Sequence, residues 1–171
     1  MPKYACYETD LKEMSHEDIA ALCSSLSAID QIDDFEDTLL LAACKNKQIE
    51  LIEYFLSFGA NPNFLNGCGD TPLHTLIDTA THDEKASLKG IEVLLDAGAD
   101  IEIRGYMGKT PFLRACSRNS LPVLKLLVQR GCNVSATLSE YGNELDALFF
   151  AKTFNLKTEL IEYIQSAMAH N

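Results

Sequence analysis

Two five-residue stretches of the sequence carry the same pattern. Asp70-Thr71-Pro72-Leu73-His74 and Lys109-Thr110-Pro111-Phe112-Leu113 start 39 residues apart, and each directly follows a glycine. Self-similarity at a fixed period of this size is typical of repeat architectures, in which short units stack side by side. The sequence therefore predicts a stack of helical units before composition is considered.

The same spacing recurs along the chain. Thr38–Gly59 and Thr110–Gly131 each span 21 residues from threonine to glycine, whereas Thr71–Gly98 spans 27. The middle unit therefore carries six extra residues, which we place around residues 79–87. Such an insertion either lengthens a helix or its loop, or decorates a binding face.

Each unit fits a helix, a turn, a second helix and then an extended segment. Threonine hydroxyls cap helices and proline suits the first helical position, so Thr71-Pro72 and Thr110-Pro111 mark helix starts. The second helix has apolar residues at three-and-four spacing, which indicates one buried face. Glycines that accept positive φ end these helices, at Gly59, Gly98 and Gly131.

Three motifs resemble the ankyrin repeat family: Thr-Pro-Leu-His at 71–74, Leu-Leu-Asp-Ala-Gly-Ala-Asp at 94–100 and Phe-Gly-Ala-Asn-Pro-Asn at 58–63. The resemblance covers roughly residues 30–163. It implies an all-α fold, an ankyrin-repeat solenoid of helix-turn-helix units with β-hairpin-like connecting loops. We divide the single domain into an N-terminal cap (1–29), repeat 1 (30–62), repeat 2 with its insertion (63–101), repeat 3 (102–137) and a degenerate C-terminal repeat or cap (138–171).

The two ends depart from the family pattern, as terminal repeats do because they have one neighbour only. We expect one short helix in the N-terminal cap, starting at a capping box of Ser15 and Asp18 and burying Ile19 and Leu22. Residues 156–167 are expected to form the closing helix, with apolar positions on one face.

Charge and composition narrow the function classes. The formal net charge is −11, and residues 1–38 hold ten acids against Lys3 and Lys12, a net of −8. A field of this sign repels phosphate backbones, so we expect no nucleic-acid ligand and a partner with a basic surface. No apolar run is long enough to span a bilayer. The start lacks a signal-peptide core, which predicts a cytoplasmic protein; secretion without such a signal stays open.

The sequence offers no set of catalytic or metal-binding residues. The six cysteines contain no Cys-x-x-Cys pair, and Cys44 and Cys116 fit small buried positions, whereas Cys68 is expected to be exposed. The family resemblance assigns His74 a hydrogen bond to its threonine. The acidic segment 30–37 lacks the glycine and distal glutamate of a calcium loop, so we interpret it as a solvated hairpin. We therefore predict no enzyme activity, no cofactor and no metal.

The resemblance implies binding through hairpin tips and the exposed face of the first helices. Carried over to this sequence, the predicted partner-binding residues are Ile32, Asp33, Asp34, Phe35, Asp37, Lys45, Asn46, Leu65, Asp70, Asp78, Arg104, Tyr106, Met107, Lys109, Arg118 and Tyr141. Tyr106 and Met107 are the expected apolar anchors, because a tip has no core into which to pack them. The alternative is that they lie back on the neighbouring hairpin.

Two functions fit these observations. The first is a monomeric, non-enzymatic binding module for one protein, in a narrower version an inhibitor or immunity protein that neutralises a basic toxin or enzyme. The second is a regulatory adaptor or secreted effector that docks host or cellular proteins. The first depends on the acidic N-terminal end, and the second depends on Tyr106 and Met107.

Overall fold

A computed structural model describes residues 6–140 and 142–169. Helices and two short strands account for most of this part of the chain. The elements are α1 (Tyr7–Glu13), α2 (His16–Ser25), α3 (Leu39–Asn46), α4 (Ile49–Ser57), α5 (Pro72–Thr79), α6 (Glu84–Asp96), α7 (Pro111–Ser117), α8 (Leu121–Gln129), β1 (Leu138–Glu140), β2 (Asn143–Leu145), α9 (Ala147–Thr153) and α10 (Thr158–Ala169).

The repeated threonines start helices as the sequence predicts. The hydroxyls of Thr71 and Thr110 accept hydrogen bonds from the backbone N–H three residues on, and a proline follows each of them at the first helical position. The glycines that end the outer helices have positive φ, 85° at Gly59, 91° at Gly98 and 81° at Gly131. Local chemistry therefore sets both ends of each helix pair.

The helices form two layers. The inner helices α3, α5, α7 and α9 each pack against the next, and the outer helices α4, α6, α8 and α10 do the same. One continuous core runs between the layers and includes fully buried leucine, isoleucine and phenylalanine side chains such as Leu40, Phe55 and Phe112. This is an all-α repeat solenoid with hairpin loops, as the resemblance implied.

The N-terminal segment differs from the prediction of one short helix. The capping box of Ser15 and Asp18 is present and starts α2, but α1 precedes it. Helix α1 packs against α3 and buries Tyr7 and Leu11. The prediction was wrong because α1 has no side-chain cap and depends on burial against a distant helix.

The insertion lengthens both the second helix of its unit and the loop before it. Helix α6 has 13 residues, against nine in α4 and nine in α8. Asp83 caps it by accepting a hydrogen bond from the N–H of Ala86. At the other end of the chain the closing helix starts at Thr158, two residues later than predicted, because the turn before it places Asn155 at a φ of 50°.

Candidate protein-binding surface

A hairpin loop precedes each inner helix. In the first three, a backbone N–H donates to a carbonyl four residues on: Asp33 to Asp37 (3.0 Å), Asn66 to Asp70 (3.1 Å) and Gly105 to Lys109 (2.9 Å). We name these loops hairpin 1 (33–37), hairpin 2 (66–70) and hairpin 3 (105–109). Hairpin 4 is the antiparallel pair of β1 and β2.

Successive hairpins are bonded to each other. The side-chain amide of Asn66 donates to the carboxylate of Asp37 at 3.1 Å. The carboxylate of Asp70 accepts the backbone N–H of Tyr106, also at 3.1 Å. Hairpins 1, 2 and 3 therefore form one row along the edge of the inner helices.

Large apolar side chains stand exposed along this row. Phe35 is 66% exposed, Tyr106 54% and Met107 55%, and Ile32 and Leu65 are exposed beside them. We call these five residues the apolar tip row. About half of the Tyr106 and Met107 surface is exposed to solvent, so neither side chain is packed into the core.

Two predicted surface acids are buried and hold hairpin 1 together. Asp33 accepts the backbone N–H groups of Tyr7 (2.7 Å), Phe35 (2.9 Å) and Asp37 (3.1 Å). Asp37 pairs with the ammonium of Lys45 and with Asn66. Asp33 and Asp37 were therefore wrongly placed on the binding surface, because backbone donors and a lysine hold them inside the fold.

An ion-pair network occupies the inner-helix face between repeats 2 and 3. Arg114 is buried and donates to Asp78 through two nitrogens, at 2.8 and 2.7 Å, and to Asp70 at 3.1 Å. Arg118 donates to the same two oxygens of Asp78 at 2.7 and 2.9 Å. Burial acts to raise the pKa of Asp78, but the hydrogen bonds from both arginines outweigh it and hold the pKa below its usual range.

This network changes the charge expected of the surface. Sequence reasoning placed Asp70, Asp78 and Arg118 on the surface and missed Arg114, whose spacing of four residues from Arg118 was the available signal. The structure shows that Arg114 and Arg118 of repeat 3 are paired with Asp70 and Asp78 of repeat 2. These four charges therefore balance one another, and the network fixes the position of one repeat on the next.

The remaining predicted residues lie at the margins of this surface. The side-chain amide of Asn46 donates to the carbonyl of Glu8 at 2.7 Å. Arg104 is exposed and donates to the carbonyl of Gly108 at 2.8 Å.

The ammonium of Lys109 lies 4.9 Å from the centre of the Phe150 ring. Burial, together with the nearby charges of Arg114 and Arg118, lowers the pKa of Lys109. Asp34 is exposed in hairpin 1. Tyr141 lies outside the described residues.

The residues of the repeated motif belong to the scaffold instead of the surface. His74 is fully buried, with Nδ1 2.8 Å from the hydroxyl of Thr71 and Nε2 3.1 Å from the carbonyl of Lys109. Because a carbonyl only accepts, Nε2 carries the proton and donates across to repeat 3. Burial lowers the pKa of His74, so the ring is neutral at neutral pH.

Cysteine chemistry follows burial. Cys44 and Cys116 are fully buried, and burial raises the pKa of both thiols. Burial also raises the pKa of Cys132 to about 12. Cys68 is exposed in hairpin 2. Among residues 6–140 and 142–169, no group of three or more His, Cys, Asp or Glu side chains is arranged to hold a metal ion.

The stacked helix pairs and the bonded hairpins together define a helical repeat protein. Comparison with family models identifies the particular class: the model for ankyrin repeats (3 copies) matches residues 11–105 and 39–138. The chain belongs to the ankyrin repeat family, whose repeats mediate protein–protein interaction.

Curated proteins similar to this chain support the same family. It is 32% identical over 109 residues to the human transient receptor potential cation channel subfamily A member 1, covering 63% of this chain and 9% of the channel. It is 26% identical over 119 residues to putative ankyrin repeat protein R664 of Acanthamoeba polyphaga mimivirus, covering 68% of this chain and 70% of that protein. It is 32% identical over 103 residues to chicken NF-kappa-B inhibitor alpha, covering 58% and 30%.

The first relatives are much longer than the matched region. The match spans 9% of the human channel and 11% of human 2-5A-dependent ribonuclease. The similarity therefore concerns the repeats. No helix in the described part of the chain combines the length and the apolar composition that crossing a membrane requires.

Proposed function

We propose that this chain is a non-enzymatic module that binds one partner protein through its inner-helix groove and hairpin tips. The observation that carries the proposal is the apolar tip row, which places exposed Phe35 on hairpin 1, Tyr106 and Met107 on hairpin 3, and Ile32 and Leu65 directly before hairpins 1 and 2. Buried aromatic anchors supply most of the energy in protein interfaces, and a polar rim surrounds them.

The neighbouring charges set the kind of partner. Asp34 and Glu36 are exposed in hairpin 1 beside Phe35, while Arg114 and Arg118 of repeat 3 are already paired within the fold. The net charge of the chain is −11. A partner with an apolar pocket and a basic rim complements this arrangement, because opposite charges steer association and suppress wrong partners.

The narrower proposal is that the chain inhibits a basic enzyme or toxin. The net charge and the exposed acids of hairpin 1 support it, and one similar protein bears the name of an inhibitor. The rival proposal is a regulatory adaptor or secreted effector, which the pairing of Arg114 and Arg118 with Asp78 favours because docking would then depend less on charge and more on the hairpin tips. We place either activity in the cytoplasm, where the buried thiols of Cys44 and Cys116 stay reduced.

Site-specific photocrosslinking tests the shared part of the proposal. A photoreactive amino acid replaces Tyr106 in one protein and Phe58 in another; both positions are exposed, but Phe58 lies at the end of an outer helix. We expect one partner to be captured at position 106 and not at 58. Capture of the same proteins at both positions, or of none at 106, contradicts the proposal.

Charge reversal separates the two narrower versions. Asp34 and Glu36 are exposed, so replacing both by lysine leaves the bonds of Asp33 and Asp37 intact. If the chain inhibits a basic protein, we expect the variant to associate with that protein more slowly than the wild type does. We also expect the association rate of the variant to depend less on salt concentration. Unchanged association with the crosslinked partner favours the adaptor and removes the electrostatic part of the proposal.

A further inference from the structure

Hairpins 1, 2 and 3 share one bonding pattern, so their residues are compared position by position. The fourth residue of each hairpin donates its backbone N–H to the carbonyl of the first, at 3.2 Å in hairpin 1, 2.8 Å in hairpin 2 and 2.9 Å in hairpin 3. The tips between are Asp34-Phe35-Glu36, Gly67-Cys68-Gly69 and Tyr106-Met107-Gly108. Hairpin 2 therefore has no large side chain at its tip and lies between two hairpins that do.

The last tip position has positive φ in all three hairpins. It is 62° at Glu36, 82° at Gly69 and 69° at Gly108. Glycine adopts this conformation freely, whereas a residue with a side chain is strained there. Hairpin 1 thus keeps a glutamate where the backbone favours glycine, which points to a use for its side chain.

The Glu36 side chain lies across hairpin 2. A Cβ added at Gly67 would overlap the Glu36 carboxylate, so the glycine leaves free the space that this group occupies. On the other flank of hairpin 2, a Cβ at Gly69 would lie 3.9 Å from the backbone nitrogen of Tyr106. Because Gly67 and Gly69 are at most about 7 Å apart, only a narrow tip separates the carboxylate from Tyr106.

The Glu36 carboxylate is available to a ligand. It is exposed, and among residues 6–140 and 142–169 no hydrogen-bond donor or cation pairs with it. The Asp37 carboxylate beside it differs, because it is buried and pairs with Lys45. Glu36 therefore offers an unpaired negative charge at the tips of the hairpins.

Aromatic rings stand on both sides of this charge. Phe35 precedes Glu36 and is 66% exposed, and Tyr106 on hairpin 3 is 54% exposed. We call these three side chains, together with the Gly67-Cys68-Gly69 floor between them, the tip notch. The tip notch combines a carboxylate, two ring faces and a floor without bulky side chains.

A guanidinium group matches the tip notch better than other charged groups do. It donates to a carboxylate through two parallel N–H groups, and its plane stacks on aromatic rings. A cation within about 6 Å of a ring centre is also attracted by the ring face. A lysine ammonium is a point charge without the planar fork. An anionic group is repelled by Glu36 and by a chain with a net charge of −11.

We propose that the partner protein inserts an arginine side chain into the tip notch, where its guanidinium donates to the Glu36 carboxylate and stacks between Phe35 and Tyr106. Glu36 is then the residue that determines specificity, and Gly67 is a positioning residue that makes room for its carboxylate. The inference rests on the proposed binding function and names the group that the hairpin tips recognise. Apolar residues around that arginine contact the rest of the apolar tip row.

Four variants of the full chain separate this role from a structural one. Glu36→Gln removes the charge, Glu36→Gly also removes the strained side chain, and Gly67→Ala displaces the carboxylate without removing it. Glu53→Gln is the control, because Glu53 is exposed on the outer helix α4 and the same charge is lost. Urea unfolding verifies the fold, and Glu36→Gly is expected to unfold at a urea concentration no lower than the wild type does.

The affinity of each variant is measured by calorimetry for the protein captured by photocrosslinking at position 106. We expect the two Glu36 variants and Gly67→Ala to weaken binding at least about tenfold, and Glu53→Gln to bind within about twofold of the wild type. Each arginine of the captured protein is then replaced by lysine. We expect one such replacement to weaken binding to the wild-type chain but to add little in Glu36→Gln, because the two groups act as a pair.

The outcomes distinguish this inference from the proposed function. Binding that is lost in Tyr106→Ala but unchanged in Glu36→Gln overturns the arginine contact and leaves the proposed function standing. Additive losses at every arginine of the captured protein, which is the result expected if Glu36 meets a lysine or no cation, also overturn it. Capture of no protein at position 106 contradicts the proposed function itself, and the inference falls with it.

Discussion

Replacing Gly105 by alanine tests how tightly repeat 2 is joined to repeat 3. A Cβ at this position would lie 2.7 Å from Nε2 of His74 and 2.8 Å from two ring carbons. The backbone itself accepts alanine, because φ at Gly105 is −91°. The substitution therefore acts through the contact with the buried ring and not through backbone strain.

The expected cost follows from two linked effects. Pushing the ring aside overpacks the junction, which costs about 1–3 kcal/mol. It also lengthens the 3.1 Å bond from His74 to the carbonyl of Lys109, and a buried donor without a partner costs about 1–3 kcal/mol. Because both effects share one displacement, we expect a total of about 2–4 kcal/mol of the free energy of unfolding.

Urea unfolding followed by circular dichroism measures this loss. Gly67→Ala is the matched control, because the atoms nearest to its Cβ would belong to the exposed, flexible side chain of Glu36, with the carboxylate closest. The double variant Gly105→Ala/His74→Ala removes the ring that causes the clash, so its cost is expected to be smaller than the sum of the single costs. A loss at Gly105 no larger than at Gly67, or additive single costs, refutes the argument.

Three further predictions concern pH, ion pairs and thiols. Burial lowers the pKa of His74, so the unfolded chain takes up a proton that the folded chain does not. The free energy of unfolding is therefore expected to fall as the pH drops below 6.5, the ordinary pKa of histidine. Urea titrations between neutral and mildly acid pH measure this dependence, which the His74→Gln variant is expected to lose. Arg114→Lys is expected to lower the free energy of unfolding by about 2 kcal/mol in the same assay, because a lysine cannot donate to the carboxylates of Asp78 and Asp70 through several nitrogens at once. Arg130→Lys is the control at an exposed ion pair and is expected to lower it by less than about 1 kcal/mol. Iodoacetamide is expected to label Cys68 in the native chain, whereas Cys44 is expected to react only when the chain unfolds. Peptide mass spectrometry measures the labelling of each cysteine. Labelling of Cys44 at the rate of Cys68 would contradict the buried core described above.

The parts of the fold that depend on short-range chemistry were predictable. Threonine caps, prolines at helix starts and glycines at helix ends act within a few residues, so the sequence located Thr71, Thr110 and Gly98 correctly. The exposure of Tyr106 and Met107 could also be expected, because a hairpin tip offers no core. Helix α1 was missed because its stability comes from packing against α3.

The charges of the binding surface could not be assigned from sequence alone. Asp33 is buried because it accepts a hydrogen bond from Tyr7, 26 residues earlier, and Arg114 reaches Asp78 and Asp70, 36 and 44 residues earlier. Such pairs form only when the repeats stack. A count of acids and bases therefore gave the correct net charge but not which of these charges are paired with one another inside the fold.

The central claim is that the repeated motif builds the scaffold and the apolar tip row binds the partner. Isothermal titration calorimetry tests this claim most directly. It measures the affinity of the protein captured by photocrosslinking at position 106 for the wild-type chain and for the Tyr106→Ala, Phe35→Ala and Phe58→Ala variants. We expect the first two variants to weaken binding at least about tenfold, a cost of about 1.4 kcal/mol, and Phe58→Ala to bind like the wild type. Full affinity in both tip variants, or an equal loss in Phe58→Ala, would contradict the claim.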